Sequence, residues 1–276
     1  MKKIHSLFLV ALFILTTMLL SCSAFAATKL VELKEAGKEY RSYDFNGDGK
    51  SDKFKADFVG VENGYINIYL NGKKNNIFIA RGCILYYYKY SKKNVFLLVE
   101  RSLYGGHEIL VYKFSGNTIK QVQELKTSCF SAPNIKSASG KKLTIILSPY
   151  HNNQIKCLKN YNLPNWRNVE FKKIYKISTS AHKFKSSSNF VKPVKAYPLY
   201  YYGSGTYATS SDSLKDNGKG VKLKYGKKYT LKQARIVPYT QNGFKMDYAR
   251  FQVADSKGNT GWFDSREDLN FYYSKQ

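Results

Sequence analysis

The 276-residue chain has little acid and little arginine. It contains 19 Asp and Glu against 45 basic residues, only seven of which are Arg, and its formal net charge is +26. A protein with this charge associates with polyanions. Sequence-specific DNA binding relies on the bidentate guanidinium of Arg at base edges, so the scarcity of Arg argues against a specific nucleic-acid partner.

The common catalytic motifs are missing from the sequence. There is no H-E-x-x-H, no C-x-x-C and no G-x-S-x-G. Two weaker groupings remain. Glu100, His107 and Glu108 bracket a glycine turn and could supply an acid and a base, and Cys157 with His151 could form a Cys/His pair. Since polar residues at a hairpin tip are usually not catalytic, we expect a noncatalytic protein.

Long apolar runs are confined to residues 7–20. Lysines precede this run and small residues come after it, which is the pattern of a secretory signal peptide over residues 1–26, and the run is shorter than the ~20 residues of a membrane span. Two processing routes are open. The A-x-A motif at 24–26 favours release, whereas residues 19–22 resemble a lipobox that would attach lipid to Cys22. We expect an extracytoplasmic protein, secreted or associated with the cell surface, with a lipoprotein as the alternative.

Strand patterns dominate the chain beyond the signal peptide. Apolar and polar residues alternate at 54–59 and 65–70, and Asn71-Gly72 predicts a tight turn. Residues 95–114 predict a hairpin around the glycine turn. The adjacent Tyr86, Tyr87 and Tyr88 are expected to alternate in burial on a strand with two buried faces. The fold class is therefore all-β.

Three strand-turn-strand units begin roughly 45 residues apart, a spacing near that of a propeller blade. Three units are too few to close a propeller, so we predict a repeated β-meander, stacked or arranged as a sandwich, over residues 27–177. Cys83 and Cys129 lie near the ends of the first two units, which makes them the best candidates for a disulfide. An odd set of three cysteines, with Cys157, equally supports three buried thiols.

The C-terminal part has a different composition. Residues 178–194 are rich in Ser, Lys and Asn and predict a linker. Residues 195–276 contain short strand patterns separated by glycines and polar turns, which predicts a small β-barrel domain. These short strands are predicted at 196–202, 221–223, 229–231, 234–237, 249–253 and 260–263.

Residues 44–52 have the residue types and spacing of a calcium loop. The ligands at positions 1, 3, 5, 7 and 9 would be Asp44, Asn46, Asp48, the backbone carbonyl of Lys50, and Asp52. Three carboxylates so close together would repel one another without a cation. Position 12 is Lys55 instead of the Glu of an EF-hand, and it lies in a predicted strand. The alternative is an Asx-rich turn without metal.

The loop resembles the β-flanked D-x-N-x-D-G-x-x-D loops of FG-GAP and VCBS-type repeats, over residues of about 40–70. This resemblance implies that the ninth residue ligates calcium directly and that the ion stabilises the fold. Residues 249–263, which end in Gly261-Trp262-Phe263, resemble the last hairpin of bacterial SH3-like domains. That resemblance implies binding of cell-wall peptides or glycans.

Aromatic residues are the candidate ligand-binding residues of the SH3-like region. They are Tyr200, Tyr201, Tyr202, Tyr207 and Trp262. The alternative for Trp262 is a core anchor of the barrel.

Taken together, the sequence resembles exported Gram-positive proteins and predicts a noncatalytic envelope protein. It would bind calcium and an anionic cell-wall polymer, peptidoglycan or another glycan. The alternatives are a hydrolase of cell-wall or host polymer and a purely structural surface protein.

Overall fold

The described chain is all-β, as the sequence predicts. The computed structural model describes residues 28–59, 64–79, 82–103, 106–125, 130–149, 169–178, 180–186, 188–203, 207–209, 220–241, 244–264 and 271–272. These ranges contain 21 strands in three antiparallel sheets. None of the described ranges holds a helix with the length and apolar character needed to span a bilayer.

The front sheet is a simple meander, and the middle sheet is a meander of four strands with β1(Lys29–Glu32) added at its edge. The front sheet has the order β2(Glu39–Tyr43), β3(Asp52–Val59), β4(Tyr65–Leu70), β5(Lys73–Phe78). The middle sheet has the order β1(Lys29–Glu32), β6(Gly82–Ser91), β7(Asn94–Leu103), β8(Gly106–Ser115), β9(Thr118–Leu125). In the middle sheet, β7 and β8 pair as the hairpin that the sequence predicts.

The third sheet, the long sheet, has twelve strands. Its main path is β10(Phe130–Ser139), β11(Lys142–Pro149), β12(Phe171–Ser178), β14(Phe190–Pro193), β18(Lys228–Gln241), β19(Phe244–Ala254), β20(Thr260–Asp264), β16(Tyr207–Thr209), β17(Gly220–Lys222). Off this path, β13(Lys183–Ser186) pairs with β12, and β15(Pro198–Tyr201) pairs with β18 and β21(Phe271–Tyr272).

The middle sheet is buried on both faces. On β6, Tyr87 packs in the core shared with the front sheet, whereas Tyr86 and Tyr88 pack in the core shared with the long sheet. All three rings are at most 6 % exposed. Successive side chains of a strand point to opposite faces, so three adjacent tyrosines can serve two cores. The expected alternation is confirmed, and the meanders stack as layers.

The turn between β4 and β5 has the predicted geometry. Asn71 has φ 50° and Gly72 has φ 83°. Positive φ at both central residues defines the type I′ turn that matches the twist of a two-residue hairpin. Asn71 tolerates this conformation better than most residues that carry a Cβ, and Gly72 adopts it without steric cost.

Residues 178–194, predicted as a linker, contain two strands instead. Strand β13 pairs with β12, and β14 pairs with both β12 and β18. Phe184 and Val191 of these strands are buried. The short strands place only single apolar residues inward, which is why their composition resembles that of a linker. Strand β14 thereby joins the two halves of the long sheet through paired backbone.

The separate strands predicted at 229–231 and 234–237 form one strand, β18. Tyr229 and Leu231 are buried before a register shift, and Ala234 and Ile236 are buried after it. The shift lies between Leu231 and Gln233 and has the character of a β-bulge, which inserts one residue and changes which side chains face the core. The bulge explains why the apolar–polar alternation of the sequence is interrupted between the two predicted strands.

Val191→Ala tests whether β14 is part of the core. Val191 is 0 % exposed, and removing two methyl groups there should cost about 2 kcal/mol and lower Tm by roughly 4–8 °C. The neighbouring exposed Lys192→Ala is the matched control and should change Tm little. Equal melting of both variants and the parent protein, by circular dichroism, would show that β14 is not packed.

Candidate functional site

The loop 44–52 connects β2 to β3 and turns its end carboxylates inward. Asp44 is 8 % exposed and Asp52 is 3 % exposed. Between them Phe45 is buried and stacks on Phe54 with ring centroids 4.2 Å apart. The apolar second residue therefore anchors the loop in the core, and this brings two carboxylates to a place where each needs a polar partner.

The loop is wound by hydrogen bonds from its own backbone. Asp44 Oδ1 accepts a bond from the N–H of Gly47 at 2.7 Å, and Asp44 Oδ2 accepts one from Gly49 at 3.2 Å. Asp48 Oδ1 accepts a bond from the N–H of Lys50 at 2.7 Å. Gly47 and Gly49 have φ of 78° and 92°, values that favour glycine. The result is a succession of Asx turns.

Asp52 is saturated by donors. Its Oδ2 accepts bonds from the backbone N–H groups of Phe45 at 2.7 Å and Asn46 at 3.1 Å. Its Oδ1 accepts bonds from the Nδ2 atoms of Asn46 at 3.2 Å and Asn71 at 2.7 Å. A carboxylate offers about four lone-pair positions. All four are occupied by protein N–H groups.

Asp44 is paired with a cation from the middle sheet. The Nζ of Lys89, on β6, lies 3.0 Å from Asp44 Oδ2, and the two side chains are 20 % and 9 % exposed. The hydroxyl of Tyr87, two residues earlier on β6, donates to the backbone carbonyl of Asp44 at 3.2 Å. Strand β6 thus contacts the loop through a hydrogen bond to its backbone and through an ion pair with its side chain.

The side chains at the predicted calcium positions do come together. Asn46 Nδ2 lies 3.2 Å from both Asp48 Oδ2 and Asp52 Oδ1. However, their oxygens accept hydrogen bonds from protein donors, and Lys89 supplies the positive charge. Within the described residues, no group of three His, Cys, Asp or Glu side chains has an arrangement that could hold a metal ion. As arranged, the loop fits an Asx-rich turn better than a calcium shell, and calcium binding remains a prediction.

The two carboxylates of the weak acid and base grouping are not brought together. Glu100 faces the long sheet, where its carboxylate accepts hydrogen bonds from the hydroxyl of Tyr86 at 3.2 Å and from the N–H of Ile135. Glu108 pairs with Arg101 at 2.7 Å. Arg101 lies opposite Glu108 and next to Glu100 in the β7–β8 register, so the two carboxylates lie on opposite faces of the middle sheet.

The side chain of His107 lies outside the described residues, as do His151 and Cys157. The structure therefore leaves the Cys/His pair as a prediction.

The four predicted aromatic residues whose side chains are described do not form one surface. Tyr201 is 0 % exposed and Trp262 is 5 % exposed. Trp262 packs on Phe190 of β14 with ring centroids 6.0 Å apart, on the face of the sheet opposite Phe263, and is not part of the two hydrophobic core clusters. Tyr200 and Tyr202 are half-buried, and Tyr202 meets the exposed Tyr225 edge-on at 5.4 Å.

Some of the predicted site residues lie outside the described part of the chain. The side chain of Tyr207 is one, and Cys22 with the signal peptide is another. Within the described residues Cys83 forms no disulfide, and burial raises the pKa of its thiol to about 12. Its predicted partner Cys129 also lies outside the described residues, so a bridge between them stays a prediction.

A basic surface on the long sheet was not predicted from the sequence. On β12 and its neighbours, exposed lysines project from the face opposite the core. We call this the lysine face; it comprises Lys142, Lys172, Lys176, Lys185 and Lys192. The sequence does contain a local excess of positive charge, because residues 127–211 include twelve Lys but only one acidic residue, Glu170. The cross-strand register that assembles the lysines could not be read from that signal.

Comparison of the chain with protein-family models, with curated proteins and with solved structures found no match to any of them. The resemblances to FG-GAP or VCBS loops and to SH3-like domains therefore remain predictions, and the site must be interpreted from its own chemistry.

The buried Glu100 predicts a pH dependence of stability. Burial raises its pKa from an ordinary value of 4.5 to about 7. The native protein then retains a proton that the unfolded chain releases, so this stabilisation is complete below pH 4.5 and disappears as the pH rises through 7. The loss should be on the order of 3 kcal/mol.

Glu100→Gln keeps an uncharged acceptor for Ile135 and should flatten the fall in Tm between about pH 5 and 8. Glu108→Gln is the control on the opposite face and should leave the slope of Tm against pH unchanged. Parallel profiles for the parent protein and Glu100→Gln, measured by calorimetry, would contradict the assignment.

Proposed function

We propose that the protein is a noncatalytic, exported envelope protein that binds an anionic wall polymer on its lysine face. The observation that carries this proposal is a row of directly opposed lysines. Lys142 is opposite Lys176 in the β11–β12 register, and Lys176 is opposite Lys185 in the β12–β13 register. A second pair, Lys172 and Lys192, is opposed in the β12–β14 register.

The spacing of these lysines suits an extended polyanion. Neighbouring strands are about 4.8 Å apart, so the three-lysine row spans roughly 10 Å across the sheet. Lys172 and Lys176 are four residues apart on β12, which separates the two rows by roughly 13 Å along the strand. Charges in two rows on a sheet match a chain with repeated phosphates or carboxylates better than a single small anion.

The cost of opposing like charges supports a binding role. Like charges directly across a strand pair destabilise a sheet. Among the described residues, none of the five lysines is in an ion pair that would relieve this repulsion. A bound polyanion would screen the repulsion between the lysines and would also attract each of them. Both effects favour the bound state.

The scaffold behind the lysine face is firmly packed. The opposite side of the same strands buries Leu143, Ile145, Leu147 and Phe171, each 0 % exposed. The lysine stems therefore start from a fixed sheet while their ends remain in solvent. This arrangement favours recognition by charge and spacing without chemical turnover.

The rival functions are distinguished by their chemistry. A hydrolase of wall or host polymer would need an acid and a base in one cleft, whereas Glu100 and Glu108 lie on opposite faces of the middle sheet. A purely structural surface protein would gain nothing from opposed lysines, which destabilise the sheet. A neutral glycan or peptide would bind through aromatic surfaces and would depend little on salt.

The test is retention of purified protein on isolated cell walls at about 0.02 M and about 0.5 M NaCl. The triple variant K142Q/K176Q/K185Q should reduce retention at low salt by at least about tenfold, because each lysine near an anionic surface contributes about 1 kcal/mol. The parent protein should be released at high salt.

The matched control removes the same number of charges from exposed positions on other strands, as K74Q/K120Q/K228Q. It should lose far less retention than the lysine-face triple. Equal losses in both triples would mean that total charge and not the lysine face drives binding. Release of soluble wall fragments that Glu100→Gln abolishes would instead support the hydrolase.

A further inference from the structure

The loop 44–52 already contains a cation, and it comes from another sheet. Lys89 Nζ lies 3.0 Å from Asp44 Oδ2, and both side chains are largely buried. The cross-strand neighbour of Lys89 is Lys29, whose Nζ lies over the ring of Tyr43 at 4.3 Å. Of these two lysines on adjacent strands, Lys89 is the one that forms an ion pair with the loop.

The other loop carboxylates are satisfied without a metal. Asp52 accepts four hydrogen bonds from N–H groups. Asp48 accepts bonds at both oxygens, from the N–H of Lys50 and from Asn46 Nδ2. Asp44 has two backbone donors and, as a buried carboxylate, requires a positive partner. That partner is the Lys89 ammonium.

We propose that the Lys89 ammonium is the resident cation of this loop, in place of the calcium ion that the residue spacing predicts. An ammonium within hydrogen-bonding distance of the first ligand position excludes a divalent ion from the same carboxylate, because both need that oxygen and they repel each other. The native protein therefore does not bind calcium at residues 44–52. Removing the ammonium opens the loop to it.

The position of Lys89 gives the ion pair a structural task. Asp44 belongs to the connection between front-sheet strands, and Lys89 belongs to the middle sheet. The same junction includes the Tyr87 hydroxyl on the Asp44 carbonyl. The loop also packs closely against the turn after β6 at Gly47, where an added Cβ would lie 2.7 Å from the Lys92 carbonyl oxygen. Lys89 thus fastens two sheets with a cation that chelators cannot remove.

The experiment compares the melting of the parent protein, Lys89→Met and Lys29→Met, each in EGTA and in millimolar calcium. The parent Tm should be the same in both. Lys89→Met should melt roughly 5–10 °C lower in EGTA, because one partner of a buried pair is removed. Calcium should restore several °C of that loss, since a ligand that binds only the native state raises Tm.

Lys29→Met is the matched control because it removes a lysine from the paired strand without touching Asp44. Its Tm should not respond to calcium. A second readout is terbium luminescence, in which a lanthanide takes a calcium position and a nearby tyrosine acts as donor; Tyr87 contacts the loop directly. Stoichiometric terbium emission is expected from Lys89→Met and not from the parent protein.

The outcomes separate the two cations. A parent protein that is stabilised by calcium, or that gives stoichiometric terbium emission, would overturn the proposal. A folded Lys89→Met that ignores both calcium and terbium would overturn it as well. If Lys89→Met does not fold, the parent titrations alone decide between ammonium and metal. None of these results depends on polymer binding by the lysine face.

Discussion

The architecture depends on a middle sheet that must be apolar on both faces. Its strand β6 carries Tyr86, Tyr87 and Tyr88 in succession, and the rings enter two different cores. A sheet that is buried on both faces can be covered only by other layers. The front sheet takes one side and the long sheet the other. Each outer sheet therefore has an inner face fixed by packing and an outer face available to solvent, and the lysine face is the outer side of the long sheet.

Much of the local structure is readable from the sequence. Period-two alternation predicts β3 and β4, and Asn71-Gly72 predicts its turn because few other pairs adopt positive φ twice. Two features could not be predicted. One is a bulge, after which the buried positions move from every odd residue to every even residue, and the other is a strand with only one buried apolar residue. The bulge after Leu231 hides the continuity of β18, and the lone inward Val191 makes β14 resemble a linker.

The candidate sites show the same division. The spacing of Asp44, Asp48 and Asp52 correctly predicts a wound loop, since Asx turns are local. The partner that neutralises Asp44 lies on another sheet, 45 residues away in sequence, and no pattern near the loop announces Lys89. The lysine face likewise depends on strand register. Registers are set by packing of the opposite face, so surface chemistry here is a consequence of the core.

Strand β14 also sets the mechanical character of the protein. Two residue pairs connect it to β12 and two connect it to β18, whereas the β18–β19 hairpin is paired over its full length. Tension between a polymer held by β11–β13 and the C-terminal strands would load this short pairing, the adjoining Val194–Glu170 and Ile236–Asn189 backbone bonds, and the chain that runs from β13 through β14 to β15. Backbone bonds loaded in so small a number yield before long hairpins do. The long sheet is therefore joined at β14 by far fewer backbone pairs than its hairpins contain, and the core that packs across this junction, where Phe171 contacts Phe251, would be pulled apart with it.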